Sequence, residues 1–300
     1  MTLAASADDR LELASDRWRL VVATSQGGSL LACEHDGLPV LRSAALPAAP
    51  GRPAASACYF PLIPFSNRIE NGRFRFGATS VRLAPNVAGS SHALHGHGWQ
   101  ADWQVTAQDG ASCALSFRRA PTPDWPWDYR GLQTLAIAGD AVRFTLAIEN
   151  LGAAPMPCGL GFHPYFARTA GTRLEFKAER AWEGGADSFP TARVAVTAPL
   201  CFGDGPLVVE RQGTDHCFDG WTRRATIRDD HSRRTFVLES SEATPFVIVY
   251  VPADADYFCV EPVTHAVNAM NLADPAAAGW WTLAPGASRS IEMTIRCATP

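Results

Sequence analysis

Lysine is nearly missing from this chain. Of its 26 basic side chains only Lys177 is a lysine, so arginine carries the positive charge. We read that as the codon usage of a GC-rich genome, not as chemistry. Thirty acidic residues outnumber the basic ones and leave a net charge of −4. That balance excludes a nucleic-acid binder relying on a basic face, because such a face must neutralise many phosphates at once. No segment reaches the ~18 consecutive apolar residues of a membrane-spanning helix, so no membrane partner is expected. The first twenty residues carry Asp8, Asp9, Arg10 and Glu12 and lack the apolar stretch of a secretory signal. A cytoplasmic location is the expectation. Close cysteine pairs are missing too. The eight cysteines, at 33, 58, 113, 158, 201, 217, 259 and 297, are never nearer than sixteen residues. There is no C-x-x-C zinc or redox pair, and buried free thiols in a reducing compartment are expected.

Long unbroken stretches are scarce as well. Twenty-four glycines and 22 prolines punctuate the chain, which leaves little room for long helices. What stands between the breaks is short, β-branched and aromatic. Trp18–Ala23, Leu30–Cys33, Phe74–Phe76, Trp103–Ala107, Cys113–Arg118, Thr235–Leu238 and Ile291–Ile295 all have that character. In 142–148, Val142, Phe144, Leu146 and Ile148 are large and apolar, and the residues between them are small or polar. That is a strand with one buried face. Gly139-Asp140 before it reads as a hairpin turn. Phe246–Val251 is apolar throughout, so both of its faces are expected to be buried. The composition, 47% hydrophobic and 19% charged, is that of a chain that buries a core. Three hundred residues would suggest two domains by length alone. A large β-sandwich can exceed ~200 residues as one domain, and no composition shift, linker or internal repeat divides this chain. Ala44–Ala57, rich in alanine and proline, reads as a loop. The expected architecture is all-β, a single large antiparallel β-sandwich over residues 1–300.

Residues of catalytic type gather in a few segments. Arg68, in Pro64-Phe65-Ser66-Asn67-Arg68-Ile69, precedes a glycine turn, where its fork can clamp hydroxyls or a carboxylate, or simply be solvated. His92, His95 and His97 fall within six residues of a glycine-rich loop. Three ligands from one such loop are awkward for a metal, so a substrate-facing histidine is preferred. Trp99 beside them can stack on a sugar or belong to the core. His163 is wrapped by aromatics in Gly161-Phe162-His163-Pro164-Tyr165-Phe166, and the following proline holds it extended. A stiffly held, poorly solvated imidazole suits a general acid, although a core histidine looks the same. Glu261 is placed at the end of an apolar strand before Pro262, where partial desolvation raises its pKa toward the range of a useful base. Asp215 is a weaker candidate.

Taken in order, these segments resemble the aldose 1-epimerase (galactose mutarotase) family. Asn67-Arg68-Ile69 with Gly72 and Phe74 is similar to its N-R-I-x-x-G-x-F signature, and Asn86 with Leu94-His95-Gly96 to its N…L-H-G segment. His163-Pro164-Tyr165-Phe166, Asp215-His216-Cys217-Phe218 and Glu261-Pro262 resemble its later motifs. The resemblance implies a galactose mutarotase-like β-supersandwich and an isomerase of carbohydrate metabolism. It implies Glu261 as general base and His163 as general acid, with Arg68, His95 and Asp215 contacting sugar. It implies a small-molecule sugar substrate, no cofactor and no metal, and a monomer or homodimer. The galactose-specific pattern is not met. His97 stands where that group has a second glycine, Ile248 where it has a sugar-binding glutamine, and Gly-Phe-His-Pro-Tyr-Phe where it has Asn-His-Ser-Tyr-Phe. That form is similar to uncharacterised and hexose-6-phosphate branches of the family.

Anomer exchange needs a base at the C1 hydroxyl and an acid at the ring oxygen, expected on the far side of the pyranose. Arg68 and His95 would place hydrogen bonds on oxygens where charge develops. Two other readings compete. A non-catalytic sugar-binding or sensor domain has no need of both an acid and a base. A glycoside hydrolase wants two carboxylates ~5–9 Å apart, and only Glu261 is a good candidate. A 6-phosphate on the sugar would call for arginines beyond the anomeric site, with Arg73, Arg75 and Arg82 available. Arg73 and Arg75 alternate with Phe74 and Phe76, the ordinary pattern of a solvated strand face, so an unphosphorylated aldose is preferred.

Overall fold

The structure is a computed structural model, described here for residues 9–44, 56–185 and 189–298. Most of the loop read at Ala44–Ala57 lies outside the described residues, as does the start of the N-terminal segment. Among the described residues there is no α-helix, only strands and single 3-10 turns. No helix is long and apolar enough to cross a membrane.

Two large antiparallel sheets carry the fold. The first has the order Arg10–Ala14, Trp18–Ala23, Ser29–His35, Tyr59–Leu62, Gly161–Ala167, Tyr257–Val263, Phe246–Tyr250, Asp215–Asp219, Arg180–Gly184 and Pro190–Ala195. The second runs Gln104–Gln108, Ser112–Arg119, Tyr129–Ala138, Ala141–Asn150, Ser288–Ala298, Arg234–Ser240, Arg224–Asp229 and Thr172–Phe176. The apolar alternation in 142–148 does what its period requires. Val142, Phe144, Leu146 and Ile148 are buried, and Arg143 is exposed. The hairpin at Gly139-Asp140 joins Tyr129–Ala138 to Ala141–Asn150 in antiparallel register.

The core lies between the sheets. Phe144 of the second sheet meets Tyr59 of the first with ring centroids 4.8 Å apart, and Phe162 packs on both. Tyr59 is fully buried, and its hydroxyl donates to Gln133 Oε1 at 2.8 Å. The Gln133 amide in turn donates to the Gly28 carbonyl, so this buried polar chain is satisfied. Tyr59 and Phe162 therefore belong to the inter-sheet face. Their neighbours in sequence, Phe60 and His163, belong to the opposite face. That face carries the chemistry.

All eight cysteines are free. Six are buried as expected, whereas Cys201, on a loop, and Cys297, at the end of the central strand Ser288–Ala298, are half-buried.

Candidate active site

Register across the first sheet sets the candidate residues in rows. Side chains directly opposite on neighbouring strands share a face. Phe60 pairs with His163, Glu261 with Ile248, Ile248 with Cys217, and Cys217 with Trp182. His163 and Glu261 join the two halves of this row, with Nε2 and Oε1 3.4 Å apart. Two residues along, Tyr165 pairs with Cys259, Cys259 with Tyr250 and Tyr250 with Asp215. Because the side-chain period is two, this second row is on the same face.

The sheet is irregular where the two key residues meet. Pairing between Gly161–Ala167 and Tyr257–Val263 runs from Gly161 opposite Val263 to Tyr165 opposite Cys259, with a gap between. Pro164 and Pro262 fall in that gap, and neither has an N–H to give to a ladder. One expectation needs correcting. Glu261 does not end its strand, which continues to Val263. Pro262 is tolerated inside a central strand because the gap leaves its missing donor without consequence. Glu261 is therefore buried more deeply than a strand end would allow, at 3% exposure.

A loop wall completes the site. His95 and Asn67 both adopt left-handed backbone, with φ of 58° and 53°. The Asn67 N–H donates to His95 Nδ1 at 3.1 Å, and the His95 N–H donates to the Asn67 carbonyl at 2.9 Å. Accepting at Nδ1 places the proton of a neutral His95 on Nε2. Gly96 follows with φ 72°, and a Cβ there would stand 2.2 Å from the Ile63 carbonyl oxygen, so glycine is required. The His95 and His163 rings meet edge to face at 5.1 Å. Arg68 Nη1 lies 3.3 Å from Asn67 Oδ1 and 3.8 Å from Asp215 Oδ2. A narrow cleft adjoins these groups, with Asn67, Trp182, Asp215, Cys217 and Ile248 among its walls.

Electrostatics are governed by burial. His163 is held between two rings, stacked on Tyr165 at 4.5 Å and tilted on Phe60 at 4.6 Å. Burial pushes its pKa down to about 3, and the Arg42 guanidinium adds to the effect. Burial raises the Glu261 carboxyl well above the usual carboxylate range; Asp215 raises it further and Arg68 opposes. The dry environment thus favours an overall neutral pair. His163 Nε2 faces Glu261 Oε1 at 3.4 Å. The other ring nitrogen, Nδ1, is buried without a hydrogen-bond partner.

All five expected residues meet here: Glu261, His163, His95, Arg68 and Asp215. The other loop residues do not. The Asn71 N–H donates to His92 Nδ1 at 3.0 Å, and the His92 ring packs edge-on against Phe189. His97 Nδ1 meets the Tyr129 hydroxyl at 2.9 Å, beside Trp125. Trp99 is 1% exposed, stacks on Phe60 and donates to the Leu94 and Gly96 carbonyls, so it is core. Trp182 was not anticipated. Its indole N–H donates to Asp219 Oδ2, which also holds Arg193. A lone tryptophan in a short strand gives no sequence signal of a site wall; only the register with Cys217 and Ile248 places it.

Two histidines outside the pair, His265 buried and His97 half-buried, predict an acid-sensitive fold. Burial, aided by Arg119 and opposed by Asp124, lowers His97 to about 3. Burial lowers His265 to about 4, partly opposed by its bond to the Ala266 carbonyl. From the ordinary histidine value of ~6.5 down to those values, the unfolded chain binds protons that the folded chain refuses. Their contribution is therefore complete above pH ~6.5 and lost as pH falls. Urea unfolding at pH 5 against pH 7 should show a loss on the order of 2 kcal/mol per histidine. His97→Gln should remove its share of the slope. An equal slope in that variant would show that His97 is not protonated on unfolding in this window.

The comparisons agree with this architecture. The uncharacterized protein YphB of Escherichia coli (strain K12) is 30% identical over 283 residues, covering 91% of this chain and 93% of its own. A crystal structure from E. coli K12, provisionally assigned as an aldose 1-epimerase, superposes with TM-score 0.87 at 29% identity, covering 97% of this chain and 99% of that one. A galactose mutarotase-like protein from Clostridium acetobutylicum superposes with TM-score 0.86 at 19% identity, covering 97% of this chain and 95% of that one, a likeness of fold. The family model for aldose 1-epimerase matches residues 9–296, and the chain belongs to that family.

Proposed function

We propose that this protein interconverts the α and β anomers of a free aldose, with Glu261 as general base and His163 as general acid. The observation that carries this reading is the 3.4 Å contact between Glu261 Oε1 and His163 Nε2 on the sheet face where His95, Arg68 and Asp215 also gather. The C1 hydroxyl oxygen and the ring oxygen of a pyranose are both bonded to C1. A donor and an acceptor standing side by side can therefore serve both oxygens, and the His163–Glu261 contact supports that arrangement. Burial favours the pair's one proton on Glu261, and passing it to His163 across the 3.4 Å contact gives the reactive form, in which the Glu261 carboxylate takes the C1 hydroxyl proton. The C1–O electrons become the aldehyde π bond, the bond from C1 to the ring oxygen breaks, and protonated His163 delivers a proton to that oxygen. Rotation about C1–C2 presents the other carbonyl face. Closure runs the same transfers in reverse, so the pair returns to its starting protonation. The His95 Nε2–H and Arg68 are donors for sugar oxygens, and Asp215 is an acceptor for a sugar hydroxyl while it holds Arg68.

Polarimetry on freshly dissolved α-glucose and α-galactose tests the reading. Acceleration proportional to enzyme supports it. Saturable sugar binding without acceleration would instead identify a binding or sensor domain.

A sugar 6-phosphate is the second reading, and one observation favours it. Arg73, Arg75 and Arg82 line an open depression with Met270 and Leu272. Arg73 stands opposite Arg82 across the hairpin, and none of the three has an ion pair among the described residues. All three are exposed while Phe74 is buried, the pattern of a solvated face. We therefore expect kcat/KM for glucose to exceed that for glucose 6-phosphate at fixed ionic strength. A preference for the phosphate above about tenfold, roughly 1.4 kcal/mol of transition-state binding, would reverse the choice and make Arg73 and Arg75 the first residues to mutate.

A further inference from the structure

We propose that His163, Cys259 and Glu261 form a binding site for a borderline-soft divalent metal ion of the Zn2+ class, and that an ion held there blocks the sugar site. A ring nitrogen of His163, the Cys259 sulfur and a Glu261 carboxylate oxygen all lie within 4.8 Å of one another. All three residues are buried. Cys259 and Glu261 are two apart on the strand Tyr257–Val263 and so share a face, and His163 faces them from the neighbouring strand.

The donor set and its spacing suit the ion. One sulfur, one imidazole and one carboxylate are the ligand types of three-coordinate zinc sites that keep a fourth position open. Tetrahedral bonds of ~2.0 Å to N and O and ~2.3 Å to S imply ligand separations of about 3.3–3.6 Å. The His163 Nε2 to Glu261 Oε1 distance is already 3.4 Å. Charge also balances. A thiolate and a carboxylate neutralise a 2+ ion, and the imidazole stays neutral, so no net charge is buried. Binding therefore exchanges one aquo ion for the thiol proton and the carboxyl proton, both released to solvent. Arg42 opposes the ion electrostatically, but its guanidinium lies over the Tyr165 and Tyr257 rings, at 3.8 and 4.3 Å from their centres.

The second histidine–carboxylate–thiol group, His35, Asp140 and Cys297, is different. Both His35 nitrogens already face carboxylates, at 3.4 Å from Asp36 and 3.2 Å from Asp140, and Arg17 neutralises both acids. That cluster is an ion-pair network with its charges satisfied.

The block rests on the reading of Glu261 and His163 as the reacting pair, whereas binding itself does not. The experiment separates the two. Co2+ added to metal-free protein is expected to produce a thiolate-to-cobalt charge-transfer band that saturates at one equivalent and is displaced by Zn2+. The band should vanish in Cys259→Ser, vanish in Cys259→Ala, and survive in Cys201→Ser and Cys297→Ser. Absence of the band, or its persistence in a folded Cys259 variant, overturns the site. In polarimetry, Zn2+ should inhibit in competition with sugar, and the Cys259 variants should need at least tenfold more Zn2+ for the same fractional inhibition of their own rate. An active enzyme that binds Co2+ through Cys259 but is untouched by Zn2+ overturns the block. A wild-type protein without anomerase activity sinks the functional reading while the cobalt band still decides the site.

Discussion

Glu261→Gln is expected to lower the polarimetric rate by roughly 10²–10⁴-fold, the range for loss of a positioned proton-transfer group, in a protein that remains folded. The reasoning separates chemistry from stability. Glu261 is 3% exposed, and burial already drives its carboxyl toward the protonated, uncharged form. A glutamine has the same shape and is neutral at every pH, so it strands no buried charge. Its amide can still meet His163 Nε2 across the 3.4 Å gap. Unfolding midpoints should therefore differ by no more than about 1 kcal/mol in stability, the scale of an ordinary mild substitution. The amide cannot take the C1 hydroxyl proton. If the folded variant anomerises sugar at close to the wild-type rate, Glu261 is not the base. A large loss of both stability and activity would instead make it a structural residue.

Much of this site was legible in the sequence, and the limits follow physical lines. Strands such as Trp18–Ala23 could be read because burial of one face imposes a local period of two. The run Phe246–Val249 is buried on both faces because one meets the other sheet and the other lines the site. The five candidate residues were found by their motifs. Their arrangement was not, because it depends on pairing between segments about a hundred residues apart, which no local pattern encodes. Phe60, His163 and Glu261 become neighbours only through sheet order. For the same reason the direct contact of His163 with Glu261 needed the structure. So did Trp182 and Cys259. Pro262 misled the reading of Glu261, because a proline usually marks a strand's end and here occupies a gap in the ladder. His92 and His97 share the loop and residue type of His95. Only hydrogen bonds to Asn71 and Tyr129 show that they brace the loop.

Replacing His163 should cost at least ~10²-fold in anomerisation, but one substitution cannot establish that alone. The imidazole packs between Phe60 and Tyr165, so His163→Asn removes ring contacts as well as the acid. A stability loss of about 1–3 kcal/mol is expected from the space left behind. His163→Phe is the complementary variant. It keeps an aromatic ring between the same neighbours, removes both nitrogens and leaves the nearby carboxyl able to remain protonated. The two variants should differ in thermal or urea stability, with His163→Phe closer to wild type, and be alike in their lost activity. That common loss would tie the effect to the missing nitrogen at 3.4 Å from Glu261. If His163→Phe turns over sugar within a few-fold of wild type, the ring serves packing and the acid lies elsewhere. His95 would then be the group to examine. Its Nε2 carries the proton that the Asn67 N–H keeps off Nδ1, and its ring lies 5.1 Å from that of His163.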